Sequence, residues 1–464
     1  MNEPASLRPD RTQRATVVKS RASIDTPIII VVGFNLFTLA VFITAPVWWD
    51  SQNLNTLYLL VLCCQLLILI GFQLGRNRGL STRSGRGLFL SSGDRAMPYL
   101  LRIYACTFLI SYAFRMGFSP LDVGGMADLL ATGIRDRHFG YQMALRGTGL
   151  GPIPWSVYFA TSIFNQCFFI AGFLQWSRMN RITGAIFAIF VCLDLFFSMG
   201  RGTSFGIVSM VTTFFMASLL WMRSTSGKIL LTAVLFAGSV AFFSYNLYSR
   251  SGNVERRIEL TEFGKSTIVP DHPAFSIVPE ALQPTYLNVV SYFGGGYYHT
   301  SLALDLDFRS TWPFGSNPAL IDLASSFGLA DWNDTYMHRL QVAKDVDEFG
   351  VWHSAYTWFA SDVSFYGVPV LLFGLAYVFG FSWARSLQGD FLSRIVFVIL
   401  GNMLLFLFAN NTYLSSVFYS FMFVLPLWIA TRVFGLSQSA VLTPGGEGVT
   451  AAFGEEQMNP EAEA

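Results

Sequence analysis

The apolar residues of this chain come in blocks of about twenty, the length an α-helix needs to cross the hydrocarbon core of a bilayer. Such blocks recur from one end of the 464 residues to the other, which leaves little choice of fold. Composition agrees. The chain is 53% hydrophobic with 45 phenylalanines, and only 13% of its residues are charged, against about 25% in soluble domains. The expectation is an all-α, polytopic integral membrane protein. A net charge of +1 says nothing about partners.

Candidate spans lie at about 27–47, 56–75, 98–117, 152–174, 182–199, 203–222, 228–248, 358–383, 392–409 and 414–433. They divide the chain into a seven-span region (27–248), a large polar loop (249–357) and a three-span region (358–435). The tails 1–26 and 436–464 read as disordered; the first is basic (Arg8, Arg11, Arg14, Lys19, Arg21). The N-terminus lacks the short apolar core and small-residue cleavage site of a leader, so no cleaved signal peptide is expected. Basic residues orient the spans. Arg76, Arg78, Arg83, Arg86 and Arg95 follow span two, Arg178 and Arg181 span four, Arg223 and Lys228 span six, and Arg385 and Arg394 span eight. That alternation fits ten spans with both termini in the cytoplasm. Arg135, Arg137 and Arg146 depart from it mildly.

The loop 249–357, between spans seven and eight, falls on the outer side. A structureless loop of this length is improbable unless it is functional or has structure of its own. Four of the five histidines lie in it, His272, His299, His338 and His353, and none of the five cysteines does. No disulfide framework or cysteine-metal site is therefore on offer there. Residues 283–304 are nearly apolar enough to span. Pro284, three consecutive glycines, Asp305 and Asp307 argue instead for an interfacial or re-entrant helix, and an eleventh span would put Arg385, Arg394 and Arg432 outside.

Several side chains could carry chemistry. Arg201, flanked by Gly200 and Gly202, sits at a tight outer turn between spans five and six. Its fork of donors suits a phosphate, and Thr203 or Ser204 could cap the next helix, whose N-terminus favours anions. Arg250 lies just beyond span seven, with Arg256 and Arg257 further on. These could grip a phosphate at the outer leaflet; the alternative is solvated charge paired with Glu255 and Glu259. His353 leads into span eight with Asp362 beyond it, and histidine is the residue best suited to general-base work near neutral pH. Asp362 could equally be a structural group. Tyr297, Tyr298 and His299 follow the three glycines; aromatic faces and exposed backbone suit sugar rings, and tyrosine also anchors at membrane interfaces. Nucleotide-binding, zinc-protease and serine-hydrolase motifs are missing. No basic stripe suggests nucleic acid.

Three stretches carry a resemblance: Gly200-Arg201-Gly202-Thr203-Ser204-Phe205-Gly206; Tyr292-Phe293-Gly294-Gly295-Gly296-Tyr297-Tyr298 with Ser301-Leu302-Ala303-Leu304; and Thr357 to Gly367. Together with the topology they resemble the bacterial oligosaccharide repeat-unit polymerases of O-antigen and exopolysaccharide synthesis. The resemblance covers roughly 190–370 in motif. It implies a membrane glycosyltransferase of the bacterial inner membrane with a periplasmic catalytic loop. The donor would be undecaprenyl-diphosphate-linked oligosaccharide, with no metal or other cofactor. A flippase and a chain-length regulator would be its partners. Arg201 and Arg250 would hold the diphosphate and His353 the acceptor side. Arg256, Arg257, Tyr297, Tyr298, His299 and Asp362 would contact substrate, as would Arg339, which lies ten residues before Gly350 in a spacing some polymerases share. Related O-antigen ligases share the large loop. Their usual His-Asn pair is His353-Ser354 here, which leans away from ligase. A flippase or other transporter is the alternative from another class; it would show inverted repeats and midplane polar residues, and neither is evident.

Overall fold

The computed structural model describes residues 25–82, 101–104, 155–176, 179–200, 205–222, 267–348, 353–409 and 416–433, with a few single positions between 124 and 132 and between 226 and 241. The architecture is helical. In chain order come α1 (Thr26–Ile43), β1 (Val47–Trp48), α2 (Leu54–Ser81), α3 (Trp155–Gln175), α4 (Arg181–Gly200) and α5 (Phe205–Trp221). After β2 (Thr267–Ile268) follow α6 (Ala274–Ile277), α7 (Gln283–Ala303), α8 (Pro318–Ser326) and α9 (Tyr336–Lys344). The chain then forms α10 (Ala355–Leu387), α11 (Phe391–Leu405) and α12 (Ser416–Val433). The two short strands pair antiparallel, with Val47 opposite Ile268.

Among the described residues, four helices are long and apolar enough to cross a membrane: α1, α2, Arg181–Ser198 of α4, and α10. Shorter apolar helices cover Ile163–Gln175, Gly206–Trp221, Phe391–Leu405 and Val417–Val433. The chain is thus an all-α protein of membrane type. The expected blocks 98–117 and 228–248 lie largely outside the described residues.

The main seam is between α2 and α10. Gly71, Gly75 and Gly79 recur every four residues along one stripe of α2. A side chain at these positions would strike the backbones of Phe373, Tyr377 and Phe381 in turn, and one at Gly380 would strike that of Phe72. Small residues let two backbones approach this closely, and dispersion between them replaces the hydrophobic effect that lipid cannot supply. Because both series ascend together, α2 and this part of α10 run parallel.

α10 is two helical pieces. Ser364 breaks it with φ 60 and ψ 165, in the left-handed half of the map that costs a non-glycine residue about 1–3 kcal/mol. Pro369, one turn on, has no N–H to offer the carbonyl of Phe365. The first piece, from Ala355, opens with Ser354 as its cap, whose hydroxyl accepts from the Thr357 amide at 3.3 Å.

The helix in the expected re-entrant stretch is α7. Its second half is inserted into the protein, and Tyr297, Tyr298, His299, Thr300 and Ser301 are all buried. It runs beside α1, with Phe293 against Phe34 and the Tyr297 hydroxyl on Thr38. One hydrophobic core joins α1, α2, α7, α9, α10, α11 and α12. The segment after 267 is therefore built into the bundle.

Candidate functional site

The site forms where α7 meets the start of α10. Gly296 makes the meeting possible: any side chain there would strike the carbonyl of Phe408 and the amide of Ser354. One turn on, the Thr300 hydroxyl donates to the Gly296 carbonyl at 2.7 Å. It also lies 2.5 Å from the Ser354 hydroxyl and 2.9 Å from that of Thr357. Since Thr300 has one proton and gives it to Gly296, Ser354 and Thr357 are the donors to Thr300. The Ala355 amide closes the turn onto the carbonyl of Leu407 at 3.0 Å.

His353 stands immediately before this knot and is fully buried. Its Nε2 lies 3.3 Å from the backbone carbonyl of Asp347. Its ring centre is 5.4 Å from that of His299, the planes inclined at 48°. Its Nδ1 meets no hydrogen-bond partner among the described residues. Burial, and then the neighbouring His299 imidazole, push the His353 pKa down to about 3; the hydrogen bond to Asp347 acts the other way. The ring is therefore uncharged at neutral pH. A general base works best with a pKa near the operating pH, so this imidazole is poorly suited to carrying a proton away and well suited to accepting a hydrogen bond.

A second polar layer lies deeper among α1, α2, α7 and α10. The Tyr297 hydroxyl is 3.0 Å from Thr38 Oγ1 and 3.3 Å from the Asn35 carbonyl. Its ring stacks on Tyr356 at 6.3 Å, and Gln65 donates to the Tyr356 hydroxyl at 3.1 Å. The Asn35 side chain donates to the carbonyls of Val31 and Leu404. These groups are all neutral, in keeping with the high cost of charge in an apolar bundle.

Charge gathers around the loop elements instead. Arg339 donates to the Asp307 carbonyl and lies over the Tyr336 ring at 5.8 Å. Lys344 pairs with Asp305 at 3.3 Å, Arg309 with Asp334 at 3.2 Å, and His338 with Glu348 at 3.0 Å. Asp305 also receives the Asn53 amide.

Of the residues singled out from sequence, Tyr297, Tyr298, His299 and His353 come together. Tyr298 packs on Trp49 and points its hydroxyl at the Asp50 carbonyl, 3.5 Å away. Asp362 stands apart from the knot and acts as a clamp. Its carboxylate accepts from the Gly315 amide (2.7 Å), the Ser316 amide (2.9 Å) and the Thr311 hydroxyl (3.1 Å). This fastens the 311–316 turn beside the break in α10, the structural role that the sequence had left open for Asp362. Arg201, Arg250, Arg256 and Arg257 lie outside the described residues. Sequence reasoning passed over Thr300, Thr357, Tyr356 and Gln65. The available signal was hydroxyl and amide side chains inside otherwise apolar helices. No protein-family model, curated protein or solved structure matches the chain.

Proposed function

We propose that this chain is a membrane glycosyltransferase. It joins oligosaccharide repeat units carried on undecaprenyl diphosphate into O-antigen or exopolysaccharide, on the periplasmic face of a bacterial inner membrane. The observation that carries the reading is the buried meeting of His299, from α7, with His353, just before α10, inside a membrane-type helical bundle. An uncharged His353 imidazole and the hydroxyls beside it suit a sugar hydroxyl better than an ion.

The chemistry divides between two sets of groups. Breaking a sugar–diphosphate bond develops negative charge on the leaving phosphate, and fixed guanidiniums aimed at it supply the largest share of catalysis. Arg201 and Arg250 take that role, with Arg256 and Arg257 in support. The acceptor hydroxyl must be oriented toward the anomeric carbon, and His353 does this as an uncharged hydrogen-bond acceptor. Ten spans, with both termini in the cytoplasm and 249–357 outside, belong to the same proposal. The parallel run of α2 and α10 supports that count. As spans two and eight both helices cross from outside to inside, whereas an eleventh span between them would turn α10 the other way.

Reconstitution of the purified protein with lipid-linked repeat units tests the reading, and a ladder of lengthening glycans is the expected product. Arg201→Ala and Arg250→Ala should abolish the ladder while the protein still inserts normally. A wild-type ladder from both variants would remove the donor site. Reporter fusions that place 267–348 in the cytoplasm would remove the proposal.

A further inference from the structure

One short stretch after α7 leaves several large apolar side chains uncovered. Trp312, Leu323, Phe327 and Leu329 each expose between 55% and 71% of their surface. Apolar surface of this kind marks contact with a membrane or with another protein.

α8 sorts its side chains into three stripes. Ile321 and Ala324 are buried against the protein. Asp322 and Ser326, one turn apart, are polar and exposed. Leu323 and, one turn on, Phe327 are apolar and exposed. The Phe327 amide still bonds back to the Ala324 carbonyl at 3.1 Å, so Phe327 continues the helical turn. A helix facing only protein and water has no use for the third stripe. A helix lying in the plane of a membrane surface needs all three, turned to protein, to water and to acyl chains.

α10 sets the height of this stretch. The Thr311 amide donates to the Ser361 carbonyl at 3.0 Å, and Asp362 holds the amides of Gly315 and Ser316. The turn that bears Trp312 is thereby fixed beside the break at Ser364. From that break to Leu387, α10 runs for about 23 residues, or about 34 Å, against roughly 30 Å for a hydrocarbon core. This piece begins with Tyr366, 95% exposed, and the exposed Val370. It ends at Arg385, near the Asp390–Arg432 pair. The break thus stands where the helix leaves hydrocarbon, with Trp312 next to it. The other exposed tryptophans among the described residues agree. Trp48 lies shortly beyond α1, Trp176 directly beyond α3, and Trp221 closes α5. Tryptophan is enriched where a helix meets the membrane surface.

We propose that Trp312 to Leu329 form an interfacial anchor whose partner is phospholipid. α8 lies in the plane of the bilayer surface on the face where α10 begins, and Trp312, Leu323, Phe327 and Leu329 reach the acyl chains just below the headgroups. Through the Asp362 clamp the anchor holds the break in α10 at a fixed height in the membrane. The assignment rests on the membrane-type bundle and is independent of the glycosyltransferase reading.

Two measurements on the full chain test this. In phospholipid nanodiscs, the emission present in the wild type and lost in Trp312→Phe belongs to Trp312. Bromine near the head end of the acyl chains should lower it roughly twofold or more, and bromine near the tail end less, as the interfacial level requires. Indifference to both, or stronger quenching from the tail end, overturns the proposal. The second measurement places the photo-crosslinker p-benzoylphenylalanine at Phe327 or at Ser326. The first position should give a phospholipid adduct several times more abundantly than the second, and equal yields overturn the orientation of α8. In native membranes, an adduct of twice the chain's mass would assign this face to a second copy, and an adduct with a different protein to that protein. Either one in place of lipid overturns the proposal.

Discussion

The two ends of α10 are built from opposite materials. At its start are His353, Ser354 and Thr357, each fully buried and each uncharged. At its far end charged side chains join the fastenings. Arg385 donates to the Thr82 carbonyl at 3.2 Å, and Gln388 to that of Gly79 at 3.0 Å, closing the open end of α2. Asp390 caps α11 by accepting from the Ser393 amide at 3.2 Å. It also pairs with Arg432, which lies over the Trp428 ring at 4.0 Å. Asp390 and Arg432 keep 14% and 25% of their side-chain surface exposed, so part of their hydration survives. The comparison shows how desolvation sorts chemistry along one helix. Ion pairs stand where water or headgroups still touch them, and neutral hydrogen bonds where nothing does.

The seam that holds both ends in register should be the most sensitive point. Gly75→Leu would drive a side chain into the Tyr377 backbone, which cannot yield, and should cost about 3 kcal/mol or more. The expected outcome is loss of the monodisperse peak of a fluorescent fusion in size-exclusion chromatography. A normal peak with an unchanged melting temperature would break the account of a close-packed seam.

At the ionic end, Asp390→Ala removes a helix cap and leaves Arg432 without its carboxylate. A loss of about 3 kcal/mol is expected, read as a fall in thermal stability that Asp390→Asn only partly repeats. At the neutral end the corresponding lever is pH. The unfolded chain protonates His353 near the ordinary 6.5 and the folded chain only near 3, so between those values the unfolded state binds more protons. Stability is then full above 6.5 and falls as the pH drops, by about 2 kcal/mol between pH 6.5 and 5. His299 and Asp347 are the titratable residues that act on this ring, and the slope should flatten in His353→Asn. A slope equal in variant and wild type would place the acid sensitivity elsewhere. The smallest effect belongs to the hydroxyl knot. Thr300→Val should cost about 1–2 kcal/mol in thermal stability, and Thr300→Ser should restore most of it.

The apolar blocks were legible because a helix that crosses lipid must satisfy its backbone internally and present apolar side chains nearly all round. Helices α1, α2, α3, α4, α5, α10, α11 and α12 accordingly fall on blocks read from the chain alone. His299 and His353 were legible as candidates, since imidazoles are rare next to such blocks. Their meeting was not, because nothing local marks which turn of α7 faces which turn of α10. Asp362 shows the limit most clearly. A carboxylate near a histidine at a span entrance reads as a substrate group, yet its three donors come from a turn about fifty residues earlier. That closure lies two residues before the break at Ser364, which no composition announces.

What the sequence determined by itself was the class of protein, the place of most helices and the residue types on offer for chemistry, because hydrophobic length and charge are local quantities. What only the tertiary structure decided was that α7 enters the bundle, that α2 and α10 lie parallel, that Asp362 fastens a turn, and that His353 is buried against His299. These depend on which backbones approach one another and how much water they exclude, and burial of that kind is a property of the assembled chain.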